Sequence, residues 1–340
     1  DGLAIEVRAG CLALRGLTID GGVPGQPRAD EVGLRLQGQA RAHLERVTLR
    51  SLGVGLLVLD EACVLVRACS LMHNSTGISA QRTACIDLLE TSIGGGELCV
   101  RLEDASQARI ARCEFSWASD GVRMISRGGL SIEGCRFEQV GAMAIEVRAG
   151  QARIVGNLIS GAGGSGVYGS GGTAQIVGNA ITATLACINL QRDALAFVER
   201  NLLGGAAAGV FVQLGEGCAA ISRNVLRGEN LDGIAVYGGR ASILENHVTG
   251  GRQFGFRALS NSASFRGNEA YRMGRAGFDL ANEDDDDEDE QAEHGNLSFD
   301  CDWESGRKPE GALFGVRPRD EPGLPTRSCA VTGVACAGPT

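Results

Sequence analysis

Arg101, Arg123, Glu146, Tyr168 and Asn189 occupy the same place in a recurring four-residue pattern, each flanked by two apolar residues. Glu103 and Arg148 follow Arg101 and Glu146 by two positions. Guanidinium groups hold carboxylates through paired hydrogen bonds, so such a row suits an anionic or hydroxylated chain, for example a uronic-acid polysaccharide. The same charges could instead neutralise one another across neighbouring strands as a solvated ladder. Groups able to move a proton are harder to find. His43, His73, His247 and His294 fall in different turns and registers with no pairing, and the sole lysine is Lys308. Closely spaced aspartates occur only in the run 283–290 and at Asp300 and Asp302, and no nucleophile elbow or phosphate-binding glycine loop is present. Without an acid–base pair within reach, proton-transfer chemistry has no agent, and no catalytic residue is assigned.

The acidic run Glu283–Glu290 contributes -8 of the formal net charge of -9, leaving about -1 for the rest. A near-neutral body excludes a nucleic-acid surface. Eight adjacent carboxylates read first as a hydrated loop. Asp284, Asp285, Asp286 and Asp287 could also form a weak Ca²⁺ site or a docking patch for a basic partner. No other metal or cofactor is indicated. No stretch approaches the 18 consecutive apolar residues of a membrane span.

Position is supplied by a repeat. The pattern small–apolar–x–apolar begins at Gly33, Gly55, Gly77, Cys99, Gly121, Ala144, Gly166, Cys187, Gly209, Gly233, Gly255 and Gly277, steps of 21 to 24 residues with 22 the commonest. An earlier copy starts at Ala4, followed by an insertion at 21–28, giving about thirteen turns. Halfway between these marks runs small–x–apolar–x–x–Asn–x–apolar, with Asn157, Asn179, Asn201, Asn224, Asn246 and Asn268 in one column. Alternation of period two predicts two or three short strands per turn, each with one buried face. A 22-residue unit of this kind cannot bury its interior alone, so it must stack into parallel sheets, roughly 4.8 Å per turn and about 60 Å in all. The asparagines are expected at bends, in the left-handed conformation and bonded to their own backbone, with their amides bonded from turn to turn. A leucine-rich repeat has a similar period, but Ala149 stands where its leucine belongs, and that motif leaves the small–apolar–x–apolar strand unexplained.

On these residues the chain resembles the right-handed parallel β-helix repeats of the pectate-lyase-like superfamily, over residues 1–281 and up to 299. The resemblance implies an all-β solenoid; the register, which breaks after Asn282, places it over 1–299 with 283–290 as a loop insertion and 300–340 as an irregular tail capping the last turn. In such enzymes substrate lies along the outside of one parallel sheet, and catalysis uses clustered aspartates, Ca²⁺ with an arginine or lysine base, or a His/Tyr pair. None of these sets is complete here, and the superfamily includes non-catalytic binding modules. Three readings follow: a rigid scaffold that binds a carbohydrate polymer, a lyase or hydrolase of acidic polysaccharides, and an intracellular protein-interaction scaffold.

Two further features bear on partners and compartment. Val155, Leu158, Val177, Ala180, Leu202 and Val225 form an apolar strip on the outside of the second sheet, suited to a protein partner or self-association. Nine of the twelve cysteines fall in three columns of the repeat, where a thiol fills a stack as a small hydrophobe, while Cys301, Cys329 and Cys336 lie in the tail. Free stacked thiols suit a reducing compartment, whereas the resemblance implies a secreted or cell-surface protein. The chain opens inside a repeat, which suggests a fragment or a processed form.

Overall fold

The computed structural model describes residues 2–22, 30–228, 231–259, 263–280 and 296–299. Each coil carries three strands. One coil consists of Leu98–Leu102, Gln107–Ala111 and Glu114–Ser116, and the next of Asp120–Met124, Gly129–Glu133 and Arg136–Glu138. Interior strands pair in parallel with their counterparts one coil on: Arg101 faces Arg123, Arg109 faces Ser131, and Phe115 faces Phe137. The third strands form a 13-stranded sheet, one strand per coil. First and second strands merge into a 23-stranded sheet, because Ala208–Ser222 and Asp232–Leu244 run unbroken through the corner between them. Among the described residues there is no helix.

Alternate residues turn inward and stack on their equivalents. Val100, Leu102, Ile110 and Phe115 are fully buried, and the rings of Phe115 and Phe137 stack with centroids 4.5 Å apart. The small column is imposed by the third strand, whose inward side chains press against the start of a first strand. A Cβ on Gly209 would lie 2.1 Å from Leu226 Cδ2 and 2.7 Å from the Gly233 carbonyl oxygen. Cys99 and Cys187 fit the same column, with Sγ 3.6 Å from the Ile93 oxygen and 3.4 Å from the Ile181 oxygen.

The asparagine motif spans two strands rather than one. Gln151–Val155 and Leu158–Ala162 flank a bend at Gly156 and Asn157. The left-handed residue of that bend precedes the asparagine: φ is 63° at Gly156, 65° at Gly178, 54° at Arg200, 55° at Arg223, 52° at Glu245 and 63° at Gly267. This corrects the expectation that the amide itself adopts the left-handed conformation and bonds its own backbone. Its bonds run along the solenoid axis. Asn179 Nδ2 donates to the Ile154 carbonyl of the preceding coil and to Asn201 Oδ1, each at 3.0 Å. Asn179 Oδ1 accepts from Asn157 N at 2.9 Å and Asn157 Nδ2 at 3.0 Å. The column continues through Asn201, Asn224, Asn246 and Asn268 to Asn296. In earlier coils Thr91 Oγ1 accepts from Cys69 N at 3.3 Å, and Cys135 Sγ accepts from Cys113 N at 3.4 Å. Those thiols therefore act as weak acceptors as well as filling space. The physical requirement is an acceptor for a buried backbone N–H at the corner, where strand pairing has lapsed.

Asn296 joins the column 28 residues after Asn268 instead of 22. The acidic run, including Asp284, Asp285, Asp286 and Asp287, and the tail 300–340 lie outside the described residues.

Candidate functional site

The outer face of the first sheet brings the row of sequence candidates into one line. Register places Arg101, Arg123, Glu146, Tyr168, Asn189, Phe211, Ala235, Arg257 and Asp279 on successive coils. The line has two chemically different halves.

In the first half the charges satisfy each other. Glu146 is 1% exposed and receives Arg123 Nε on one oxygen and Arg148 Nε on the other, both at 2.6 Å. Arg123 Nη2 also reaches Asp120 Oδ2 at 2.6 Å, and Asp120 Oδ1 accepts Met143 N at 3.1 Å. Arg101 Nε donates to Glu103 Oε1 at 2.9 Å. The guanidinium groups expected to clamp an anionic polymer are thus already engaged.

The second half is aromatic and less fully paired. Tyr168 OH donates to Gln191 Oε1 at 3.3 Å. Asn189 lies beside it, with a buried Oδ1 that no donor reaches. Phe211 and Tyr237 pack with ring centroids 5.1 Å apart. The Arg257 guanidinium lies 5.7 Å from the Tyr237 centroid and 5.1 Å from that of Phe254, within cation–π range. Its Nε sits 3.2 Å from Asp279 Oδ2, an ion pair without hydrogen-bond direction. Asp232 closes the group: it is 8% exposed and accepts Phe254 N at 3.3 Å. Burial pushes its carboxyl above the ordinary carboxylate range, and the Asp279 charge adds to that, against the Phe254 N–H and the charges of Arg257 and Arg275.

Sequence reasoning ended this row at Asn189 and missed Phe211, Tyr237, Phe254, Arg257, Asp232 and Asp279. The signal was present, since Phe211, Arg257 and Asp279 hold the third position of the same four-residue pattern. Tyr237 and Phe254 fall outside that position, and only the coil packing brings them alongside.

The apolar strip does not belong to the second sheet alone. Val155 and Val177 end second strands, while Leu158, Ala180, Leu202 and Val225 begin third strands, so the strip straddles the asparagine bend. Leu158 and Leu202 are 44% and 49% exposed. One expectation fails on this same face. His247 is paired: its Nδ1 lies 3.1 Å from Glu269 Oε2 and its Nε2 lies 2.9 Å from Thr249 Oγ1. An acid–base pair is therefore within reach after all, supplied by two coils 22 residues apart.

Among the described residues no group of three His, Cys, Asp or Glu side chains is arranged to hold a metal ion. Nor does any helix there have the length and apolarity to cross a membrane.

Parallel strands stacked coil on coil, three per turn around one continuous core, define a parallel β-solenoid. Residues 32–181 match the family described as a right handed beta helix region, and the parallel β-solenoid is consistent with the pectate-lyase-like superfamily. Searches of curated proteins and of solved structures gave no significant match.

Proposed function

We propose that this β-helix is a rigid binding scaffold that holds a carbohydrate polymer along the outer face of its first sheet, between Tyr168 and Arg257. The observation that carries the reading is the column Tyr168, Asn189, Phe211, with Tyr237 and Phe254 against its lower end. Rings and planar amides repeated roughly every 4.8 Å offer flat apolar faces and polar edges to a chain of hydroxylated rings lying parallel to the axis. The internal pairing of Arg101, Arg123 and Arg148 favours a neutral or weakly acidic polymer over a dense polyuronide.

Affinity electrophoresis through gels containing neutral or acidic polysaccharides tests this. At least one neutral polymer should retard the protein, Phe211→Ala and Tyr168→Ala should abolish the retardation, and Arg123→Ala should leave it. Retardation by no polymer, or loss only on Arg123→Ala, would overturn the reading. New reducing ends or unsaturated products in the same mixtures would favour the lyase or hydrolase alternative.

A second reading, an intracellular protein-interaction scaffold, draws on the thiols. Nine cysteines among the described residues form no disulfide, although Cys63 faces Cys85 directly on adjacent strands. Burial pushes Cys99 and Cys187 up to about 12, so their thiolates are scarce at neutral pH. Alkylation with peptide mapping should modify Cys11 and Cys85 in the native protein, and Cys99 and Cys187 only after denaturation. Recovery of Cys63 and Cys85 as a disulfide in protein taken from its native source would count against a reducing compartment.

A further inference from the structure

We propose that Thr249, His247 and Glu269 form a nucleophile–base–carboxylate relay that cleaves acyl esters, with the acyl chain lying along the apolar strip of Leu202 and Val225. The relay stands on a different face from the binding strip and does not depend on it. His247 and Thr249 both belong to the third strand His247–Thr249, two residues apart and so on one face. Glu269 begins Glu269–Tyr271 and is the direct partner of His247 one coil on.

The hydrogen bonds are ordered as nucleophilic catalysis requires. With Nδ1–H donating to Glu269 Oε2 at 3.1 Å, the neutral imidazole presents Nε2 as an acceptor to the Thr249 hydroxyl at 2.9 Å. Glu269 is steadied in turn by Tyr271 OH, which donates to the same oxygen at 3.5 Å, while the Tyr271 ring lies 5.0 Å from the imidazole. Arg227 is the partner of Thr249 on the preceding coil, and it is exposed. Its guanidinium is the cation nearest in register to charge developing on a carbonyl oxygen under attack by Thr249. The side chains of His247 and Glu269 are 39% and 42% exposed, so both substrate and water can arrive.

The substrate class comes from what lies beside the relay. Leu158, Ala180, Leu202 and Val225 occupy the column of His247 on the four preceding coils. Four steps at about 4.8 Å make an apolar track of roughly 19 Å leading to the imidazole. An ester with a long acyl chain would lay its hydrocarbon on this track and its carbonyl over Thr249.

The chemistry balances within the site and water. Thr249 Oγ adds to the ester carbonyl while its proton passes to His247 Nε2. The C–O bond to the alcohol then breaks, and the departing oxygen takes that proton. Water, deprotonated by the same Nε2, adds to the acyl-threonine, whose C–O bond breaks with return of the proton to Thr249. The products are one carboxylic acid and one alcohol.

Hydrolysis of p-nitrophenyl octanoate and acetate by the full chain tests the relay and the track separately. The relay predicts turnover of both esters, a loss of roughly a hundredfold or more in kcat for Thr249→Val and His247→Gln, and retention in Thr249→Ser. Glu269→Gln, altering a positioning residue, should lower kcat with KM unchanged. A fluorophosphonate should attach to residue 249 in the native and serine forms. Leu202→Asp should raise KM for octanoate but not for acetate, which locates the acyl chain. Absence of hydrolysis, an unchanged rate in Thr249→Val, or a phosphonate attached elsewhere would overturn the relay. Equal KM effects of Leu202→Asp on both esters would overturn the track.

Discussion

Asp232 shows how this fold treats a carboxylate differently from Glu146, although both lie on the same sheet and both are buried. Glu146 receives two guanidinium groups at 2.6 Å, one on each oxygen. Asp232 accepts one backbone N–H, from Phe254, and burial with the Asp279 charge raises its affinity for a proton. A folded-state pKa above the unfolded value means that the native state binds this proton more tightly. The associated stability is full below the ordinary carboxylate range and is lost as pH rises through the raised value. Asp232→Asn keeps an oxygen for the Phe254 N–H and removes the ionisation. The variant should melt above the parent near about pH 7.5 and level with it near about pH 3.5. Calorimetry at the two pH values checks this, and a variant that gains stability only in acid would contradict it.

At the scale of the element, the bend between second and third strands carries the sharpest requirement in the coil. Its left-handed residue varies freely among Gly, Arg and Glu, while the next position holds asparagine in six coils from Asn157 to Asn268. The structural requirement therefore falls on the acceptor and donor pair, not on residue type at the positive φ angle. In Asn201→Ala the Asn179 backbone N–H and amide lose their acceptor, and the carbonyl of Ile176 loses its donor. Buried groups left unpaired cost about 1–3 kcal/mol each, so the substitution should cost at least ~3 kcal/mol. Asn201→Thr should cost less, because Thr91 already accepts a backbone N–H at this place in its own coil. Urea midpoints for the two variants give the order, and equal midpoints would show that the amide is filling space only.

The periodicity along the chain is what makes the fold legible in the sequence. Gly33 to Gly277 at near-constant intervals sets coil number, inward faces and the line from Arg101 to Asn189. What could not be read was how side chains pair once aligned. Whether Arg123 reaches for a ligand or for Glu146 depends on rotamers and burial, which spacing does not specify. The His247–Glu269 pair was open to the same 22-residue arithmetic, but finding it required the third strand to be separated from the second. Because each coil touches only its neighbours, stability in such a stack is a sum of local terms and nearest-neighbour couplings. The strand Leu3–Val7 has a partner on one side, Val32–Leu36, whereas interior strands have two. Accordingly Ile5, Leu12, Leu14 and Ile19 are only partly buried, while Leu34, Leu44 and Leu49 are sealed. Among the described residues, hydrogen exchange followed by mass spectrometry should therefore run faster in peptides covering 3–20 than in those around 98–190. Asn201→Ala should speed exchange in the coils on either side of residue 201 and leave 32–90 as slow as before. Uniform acceleration along the whole chain would mean that the solenoid opens as one unit, and nearest-neighbour coupling would no longer describe it.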